Sequence, residues 1–486
     1  MKTCLLAALL LLYIFSLGRV GFGLDPDEPR YASIGRDMDR SGDWITPRLY
    51  GAGWFEKPPL LYWMTAAATR IGLRDEWAAR LPVALLSLAF LVFFYFVLER
   101  EFNARVALIA LAILGTSAGW LAYSFASVTD LPMSTCFSAA MLVAIFDTRR
   151  RTSGWNSAEW ISPGFTAGVL LGFAILAKAF LPIALFAPVW LIARGKRIAI
   201  AAGAVLIAAP WHLLVWLRNG PAFWDVYFWQ QQVGRFNSPA LHHGQPFWFY
   251  VPVLLLGLFP WTPLFGLLAR RQTYEDVRVS SLAIWLALAV VFLSVFANKL
   301  PGYLLSLLPA VAIVLAVALD KAAKQECAKQ EWWIAACALA LVLLPSAAAG
   351  LPDAFLSGAT KAKWLFHPAG LLFVLPAAAV WWMAWKKMTA LAVLATALTA
   401  AAGIGLLETQ VLPVLDRRVS VRPFWREQRD KLSSSCLDPG LRPASEYGLA
   451  YYDARTTPKC SPDDSRWRVS NGPNGLALEA PRPQMP

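Results

Sequence analysis

Apolar runs long enough to cross a bilayer recur along the whole chain and leave few folds open to it. They fall near 3–22, 80–98, 105–126, 131–147, 163–178, 179–193, 198–217, 247–268, 279–297, 301–319, 333–350, 368–385 and 389–412, about thirteen spans. At 58% hydrophobic and 15% charged, 486 residues carry more apolar surface than a soluble core can hide. The 23 Trp and 28 Phe suit aromatic belts at two interfaces. The expected fold class is an all-α polytopic membrane protein.

The net charge of +13 does not point to nucleic acid. Much of it sits in short clusters between apolar runs, and no RNA- or DNA-binding pattern accompanies them. The clusters are Arg100 and Arg105; Arg149, Arg150 and Arg151; Arg194, Lys196 and Arg197; Arg270 and Arg271; Lys321, Lys324 and Lys329; Lys386 and Lys387. The positive-inside rule assigns these loops to the cytoplasm, which puts the amino terminus inside and the carboxyl terminus outside. The segment from Met1 to about Gly18 could pass for a signal peptide, but without a small-x-small cleavage site it reads as an uncleaved first span.

The run Pro163–Ala193 tests this map. As one helix it would be roughly 46 Å long, against a hydrocarbon core of about 30 Å. A single crossing would also strand one flanking basic cluster outside. Two short helices turning near Lys178–Pro182 resolve both problems and place Lys178 at the floor of an outward-facing pocket. The outward connections are then the first loop (23–79), the Ser127–Asp130 turn, 218–246, the Asn298–Lys299 turn, 351–367 and the tail after Leu412.

The first loop is the long polar interruption near the start of the chain. Asp27 is placed to cap a short helix, with Pro29 in its first turn, Tyr31, Ile34 and Met38 as an apolar stripe and Gly42 as its stop. A second helix is expected over Leu60–Ala68, after Pro58-Pro59, and both helices would lie in the membrane plane. The transmembrane part spans 1–412. The tail, 413–486, reads as a small extracytoplasmic α/β domain with a helix near 421–433, a strand near 446–453 and a disordered last dozen residues. Outside the cytoplasm, Cys436 and Cys460 could form a disulfide.

This map gathers Asp27, Glu28, Glu56, Lys57, Asp130, Lys178, Arg235, His243 and Lys299 on one side of the bilayer. Lysine and arginine suit a phosphate, as point charge and as fork. Carboxylates suit a general base or a group that orients a nucleophile.

The segments PDEPRYASIGRDMDRSGDWITPRLYG (26–51) and WFEKPPLLYWM (54–64) resemble the first loop of the bacterial lipid A aminoarabinose transferase family. That family belongs to the GT-C glycosyltransferases, with the protein O-mannosyltransferases. LAKAFLP (176–182), RF (235–236), HGQPFWFYVP (243–252) and NKLPGYLLSLLP (298–309) extend the likeness through the membrane part. LAKAF departs from the more usual Lys-Gly of its segment. The resemblance implies a GT-C fold with thirteen spans and an active site on the outer face of the bacterial inner membrane. The donor it implies is an undecaprenyl (polyprenyl) phosphate-linked sugar, and the acceptor lipid A, another glycan or a protein. Asp27, Asp130 and Glu28 are then the catalytic candidates, and Lys57, Arg235, Lys178 and Lys299 the ligands of the donor phosphate. Glu56 and His243 resemble residues of a site for a divalent metal (Zn or Mg), although no HExxH or cysteine cluster joins them. A lipid or glycolipid flippase is the alternative from another class, and it would favour ionisable residues at mid-helix and paired repeats. A non-catalytic envelope scaffold would leave the matched acids and bases without a task.

Overall fold

The computed structural model describes residues 1–147, 163–193, 195–234, 244–296, 298–324, 330–358, 361–362, 365–461, 464–472 and 475–480. These fold into a mostly helical, multi-pass membrane architecture. Backbone amides have no water to pair with in hydrocarbon, so helices satisfy them internally. Among the described residues seven helices are long and apolar enough to cross a membrane, or up to nine if each bent pair is one span. Four shorter apolar helices stand beside them: α1 (Lys2–Phe15), α7 (Asp130–Asp147), α8 (Pro163–Lys178) and α9 (Leu181–Ile192).

Between α1 and α7 come α2 (Asp27–Ser41), α3 (Leu60–Arg70), α4 (Asp75–Glu101), α5 (Ala104–Gly115) and α6 (Ala118–Ser124). The strands β1 (Arg48–Leu49) and β2 (Ala52–Gly53) form a small antiparallel hairpin in the first loop. The bundle is organised around helices with little lipid face. Residues Val106–Gly115 of α5 and Leu308–Leu319 of a later helix are all buried, as is much of α7. Serines join them across the core, with Ser134 Oγ 3.0 Å from Ser306 Oγ.

The α5–α6 pair bends by 63°, and the pair Phe247–Gly257 and Thr262–Ala269 by 114°. The two bends interlock: the Trp261 indole donates to Thr116 Oγ1 at 3.0 Å, and the Ala118 amide to the Phe259 carbonyl at 2.9 Å. Groups freed by one break are thereby satisfied by the other. The long helix α10 (Arg197–Asn219) packs on α8 through glycines at 164, 168 and 172. A Cβ on Gly168 would fall 2.2 Å from the Ile200 carbonyl oxygen, so only glycine permits this backbone approach.

Two ends of the bundle separate by chemistry. At one, Arg105 pairs with Asp320, Arg278 with Glu101 and Lys321 with Glu275, gathering the basic connections 100–105, 270–278 and 320–324. At the other, the first loop meets the tail. The tail contains helices Arg422–Leu432 and Pro443–Asp453 and a sheet in the order β3 (Ser435–Leu437), β4 (Trp467–Gly472), β5 (Gly475–Glu479), with β3 parallel and β5 antiparallel to β4. Leu432, Leu437, Leu449 and Val469 form its core, and Cys436 and Cys460 are disulfide-bonded.

Several expectations need correction. The first helix stops at Phe15 rather than 22, and in the turns that follow Gly18 lies against the Trp77 indole, where a Cβ would clash. The stretch 446–453, expected as a strand, lies in a helix whose first residue is Pro443, with Glu446 in the first turn. Its alternating pattern concealed a different spacing: Gly448, Tyr451 and Tyr452 lie on one helical face, against the first loop. Part of the last dozen residues forms β5, while 481–486 lie outside the described residues. The last spanning helix, Thr389–Arg418, also continues beyond 412.

Candidate active site

The motif DPDEPR at 25–30 sends its three acids in three directions. The Asp25 carboxylate accepts from the Asp27 amide at 2.7 Å, so Asp25, not Asp27, caps α2, and Asp27 is the helix's first residue. Glu28 turns inward. Its two oxygens accept from Arg80 Nε and Nη2, both at 2.7 Å, and Oε1 also accepts from the Ser127 amide at 3.0 Å. Arg80 donates as well to the carbonyls of Leu17 and Val20. At 4% exposure and with both oxygens engaged, Glu28 has no room for a substrate proton. Its placement makes it a positioning group that ties α2 to α4 and to the Ser127 turn.

Asp27 faces the other way, with a side chain 40% exposed, and pairs with Arg30 one helical turn on. Arg30 Nε donates to the Pro26 carbonyl at 3.2 Å. Its guanidinium lies over the rings of Trp54 (5.5 Å) and Tyr447 (5.0 Å).

Asp130 opens α7, three residues after the turn that Glu28 holds. Lys178, the last residue of α8, reaches it at 2.5 Å and lies 4.7 Å from the centre of the Tyr303 ring. This approach depends on Gly302, where a Cβ would fall 2.0 Å from the Asp130 oxygen. The expected turn after Lys178 is present: Ala179 has φ of 56°, and α9 begins at Leu181. A left-handed alanine costs about 1–2 kcal/mol that glycine avoids, which gives the usual Lys-Gly of this segment a physical reason. Ala179→Gly is expected to raise stability by about 1 kcal/mol, read as a higher unfolding midpoint in detergent. A lowered midpoint would contradict a left-handed Ala179.

Glu56 and Lys57 are half-buried in the segment between β2 and α3. The charges of Arg30, Glu56 and Asp130 all act on the buried Tyr31 phenol, whose pKa burial raises well above its ordinary value. Tyr31 therefore marks where the motifs 25–30, 56–57 and 130 converge. Lys299, expected among the phosphate ligands, is 4% exposed and donates to the carbonyls of Gln245 and Phe296. It pins the Gly244–Asn298 bridge and serves the fold there. Arg235 and His243 lie outside the described residues. Among the described residues no three His, Cys, Asp or Glu side chains group as metal ligands.

Immediately beyond Lys178 an apolar groove of about 550 Å³ opens between α8, α9 and α10, lined by Leu171, Ile175, Ala179, Phe186, Trp190 and Ala204 among others. The sequence reading missed Asp25, Arg30 and Tyr303. Asp25 stands immediately before the segment 26–51 and Arg30 within it, and Arg30 lies one turn from Asp27, a spacing that itself signals a pair.

The family described as dolichyl-phosphate-mannose-protein mannosyltransferase matches residues 56–216. ArnT from Cupriavidus metallidurans, in a crystal structure bound to undecaprenyl phosphate, superposes with a TM-score of 0.73 at 23% identity, over 95% of this chain and 86% of that one. The chain has the fold of that ArnT. Its sequence relatives agree with the fold. The undecaprenyl phosphate-alpha-4-amino-4-deoxy-L-arabinose arabinosyl transferase of Pseudomonas aeruginosa is 30% identical over 341 residues, 65% of this chain and 60% of its own length. That of Pectobacterium atrosepticum is 32% identical over 336 residues, 65% of this chain and 58% of its own. The chain thus spans about three-fifths of the length of these relatives.

Proposed function

We propose that the protein is a membrane glycosyltransferase that moves a sugar from an undecaprenyl (polyprenyl) phosphate donor to an envelope acceptor: lipid A, another glycan or a protein. The observation that carries this reading is the Asp130–Lys178 pair beside an apolar groove that begins at Ala179, with the charges of Arg30 and Asp130 both acting on Asp25 and Tyr31 in the first loop. The groove suits a long isoprenoid chain, and the Lys178 ammonium, with donors beyond its bond to Asp130, suits the phosphate at the end of that chain. Lys57 and Arg235 would complete the phosphate's ligands. Relatives named for an undecaprenyl phosphate-linked sugar, and the ArnT crystal structure bound to undecaprenyl phosphate, support the same donor class.

In the reaction, the bond between the anomeric carbon and the phosphate oxygen breaks while a bond to the acceptor oxygen forms. The phosphate leaves as an anion, so the cations act on charge that grows in the transition state. A hydroxyl acceptor gives its proton to Asp27. A phosphate acceptor is already anionic, and Asp27 then orients it or offsets positive charge on the ring. The site would face the periplasm from the inner membrane, with the amino terminus in the cytoplasm. The basic connections gathered at the opposite end and the disulfide in the tail both support that orientation. A divalent metal is a separate proposal. Glu56 with His243 would supply two ligands, and transfer measured with a chelator tests it: a lost rate restored by zinc supports a metal, an unchanged rate removes it.

Asp25 is exposed at the surface, yet partial loss of hydration among the atoms beside its carboxyl, and then the Glu28 charge, push that carboxyl up to about 6. Its folded pKa is above the unfolded one, so its contribution to stability is present below the ordinary carboxylate range and is lost as pH rises through about 6. Its function runs the other way, because the ionised carboxylate is the stronger cap for Asp27. Transfer is therefore expected to fall as pH drops through about 6, and Asp25→Asn to flatten that limb of the pH–rate profile. An identical limb in both proteins would assign it to another group. The broader test is mass spectrometry of envelope lipids, glycans and glycoproteins from cells with and without the protein. One glycosylated species should vanish with the gene and return with wild-type protein, and unchanged spectra would count against the reading.

A further inference from the structure

The tail helix Pro443–Asp453 is held on the first loop and the turn before it through its second half, from Tyr447 to Tyr452. Arg36 donates to the Tyr451 carbonyl at 2.7 Å and lies 4.3 Å from that tyrosine's ring centre. The Phe22 amide donates to the Tyr452 hydroxyl at 3.0 Å, and that hydroxyl in turn donates to Glu76. The Phe22 and Tyr451 rings meet edge to face at 4.6 Å. Gly448 fits beside Val421 and the Phe22–Gly23 backbone, where a Cβ would fall 2.8 Å from a Val421 methyl. Cys436 and Cys460 lie on either side of this helix, so the disulfide closes the loop that carries it.

One residue of that docked face reaches the site. Tyr447 lies half-buried under the Arg30 guanidinium, the group that pairs with Asp27. Arg30 has two oxygen partners, the Pro26 carbonyl and the Asp27 carboxylate, and two aromatic ones, Trp54 from the first loop and Tyr447 from the tail. A guanidinium held over an aromatic face loses rotamer freedom. Asp27, paired to that guanidinium, loses it too.

We infer that Tyr447 is a positioning residue of the active site, acting through Arg30 to hold the Asp27 carboxylate in its working orientation. The tail is then a working part of the transferase rather than an appendage. This rests on the transferase reading above, with Asp27 as the acid that acts on the acceptor. Positioning should appear in turnover and not in donor affinity, because the contact of Tyr447 is with Arg30, the partner of Asp27.

The test compares Tyr447→Leu and Tyr447→Phe with wild type in proteoliposomes, using undecaprenyl phosphate-linked aminoarabinose as donor and lipid A as acceptor. Leucine keeps apolar bulk against the loop and removes the π face; phenylalanine keeps the π face and removes only the hydroxyl. Tyr447→Leu is expected to lower kcat about tenfold with the donor KM within about twofold, and Tyr447→Phe to stay within about twofold of wild type in both. A wild-type kcat in Tyr447→Leu would overturn the inference while leaving the transferase reading intact. So would a rise in KM at constant kcat, or an equal loss in both variants. No transfer by any protein, wild type included, would remove the reading and the inference with it.

Discussion

Asp27→Asn is expected to reduce sugar transfer to a hydroxyl acceptor by about 10²–10⁴-fold, the usual contribution of a positioned general base. Asparagine is close in shape, can still accept from Arg30 and leaves the Asp25 cap in place, since that bond uses the residue 27 backbone amide. The loss would therefore report chemistry and not folding. Donor binding should change little, because the isoprenoid chain and phosphate are assigned to the groove and to lysines on other segments. The size of the effect also sorts acceptors. With a phosphate acceptor no proton need be removed, and the same substitution should cost only about tenfold, the scale of a lost orienting interaction. Turnover at the wild-type rate with either acceptor would remove Asp27 from the site.

Breaking the Glu28–Arg80 pair from one side should be the most damaging change to the fold. Arg80→Met leaves a carboxylate buried without its cation, together with the Leu17 and Val20 carbonyls that Arg80 had satisfied. Removing one partner of a buried pair costs about 3–5 kcal/mol. Replacing both, as in Glu28→Gln with Arg80→Met, should cost clearly less than the two single changes together, and unfolding midpoints in detergent read that difference. Stability equal to wild type in Arg80→Met would show that the pair does not hold α2. Because Glu28 also accepts from the Ser127 amide, the single variant should in addition slow turnover by displacing the segment that carries Asp130.

Much of the architecture was legible in the chain because membrane helices announce themselves by length and apolarity alone. The reversal at Lys178 followed from arithmetic: one run too long to cross once, between two basic clusters that the positive-inside rule assigns to one side. The helix at Asp27–Ser41 was legible from Pro29, its Tyr31–Ile34–Met38 stripe and Gly42, which has φ of 69° at the end of the helix. Other features depend on partners remote in sequence. Nothing local to Glu28 says that Arg80, 52 residues on, will take both of its oxygens. Nothing local to Lys299 says that it will be spent on the carbonyls of Gln245 and Phe296. The tail helix was misread because a run of tyrosine, glycine and leucine has similar strand and helix character, and docking on the first loop decides between them. Arg30 was overlooked for a different reason: its part in the site comes from the aromatic rings beneath it, one of them 417 positions away.

The central claim is that this chain breaks the bond between sugar and lipid phosphate instead of merely carrying the lipid across. Wild-type protein in sealed proteoliposomes, supplied with polyprenyl phosphate-linked sugars and envelope acceptors from its own cells, tests it directly. The account predicts free polyprenyl phosphate and glycosylated acceptor appearing in equal amounts, with Asp27→Asn producing neither at a comparable rate. Donor that reaches the opposite leaflet with its sugar still attached, and no glycosylated acceptor, would contradict it.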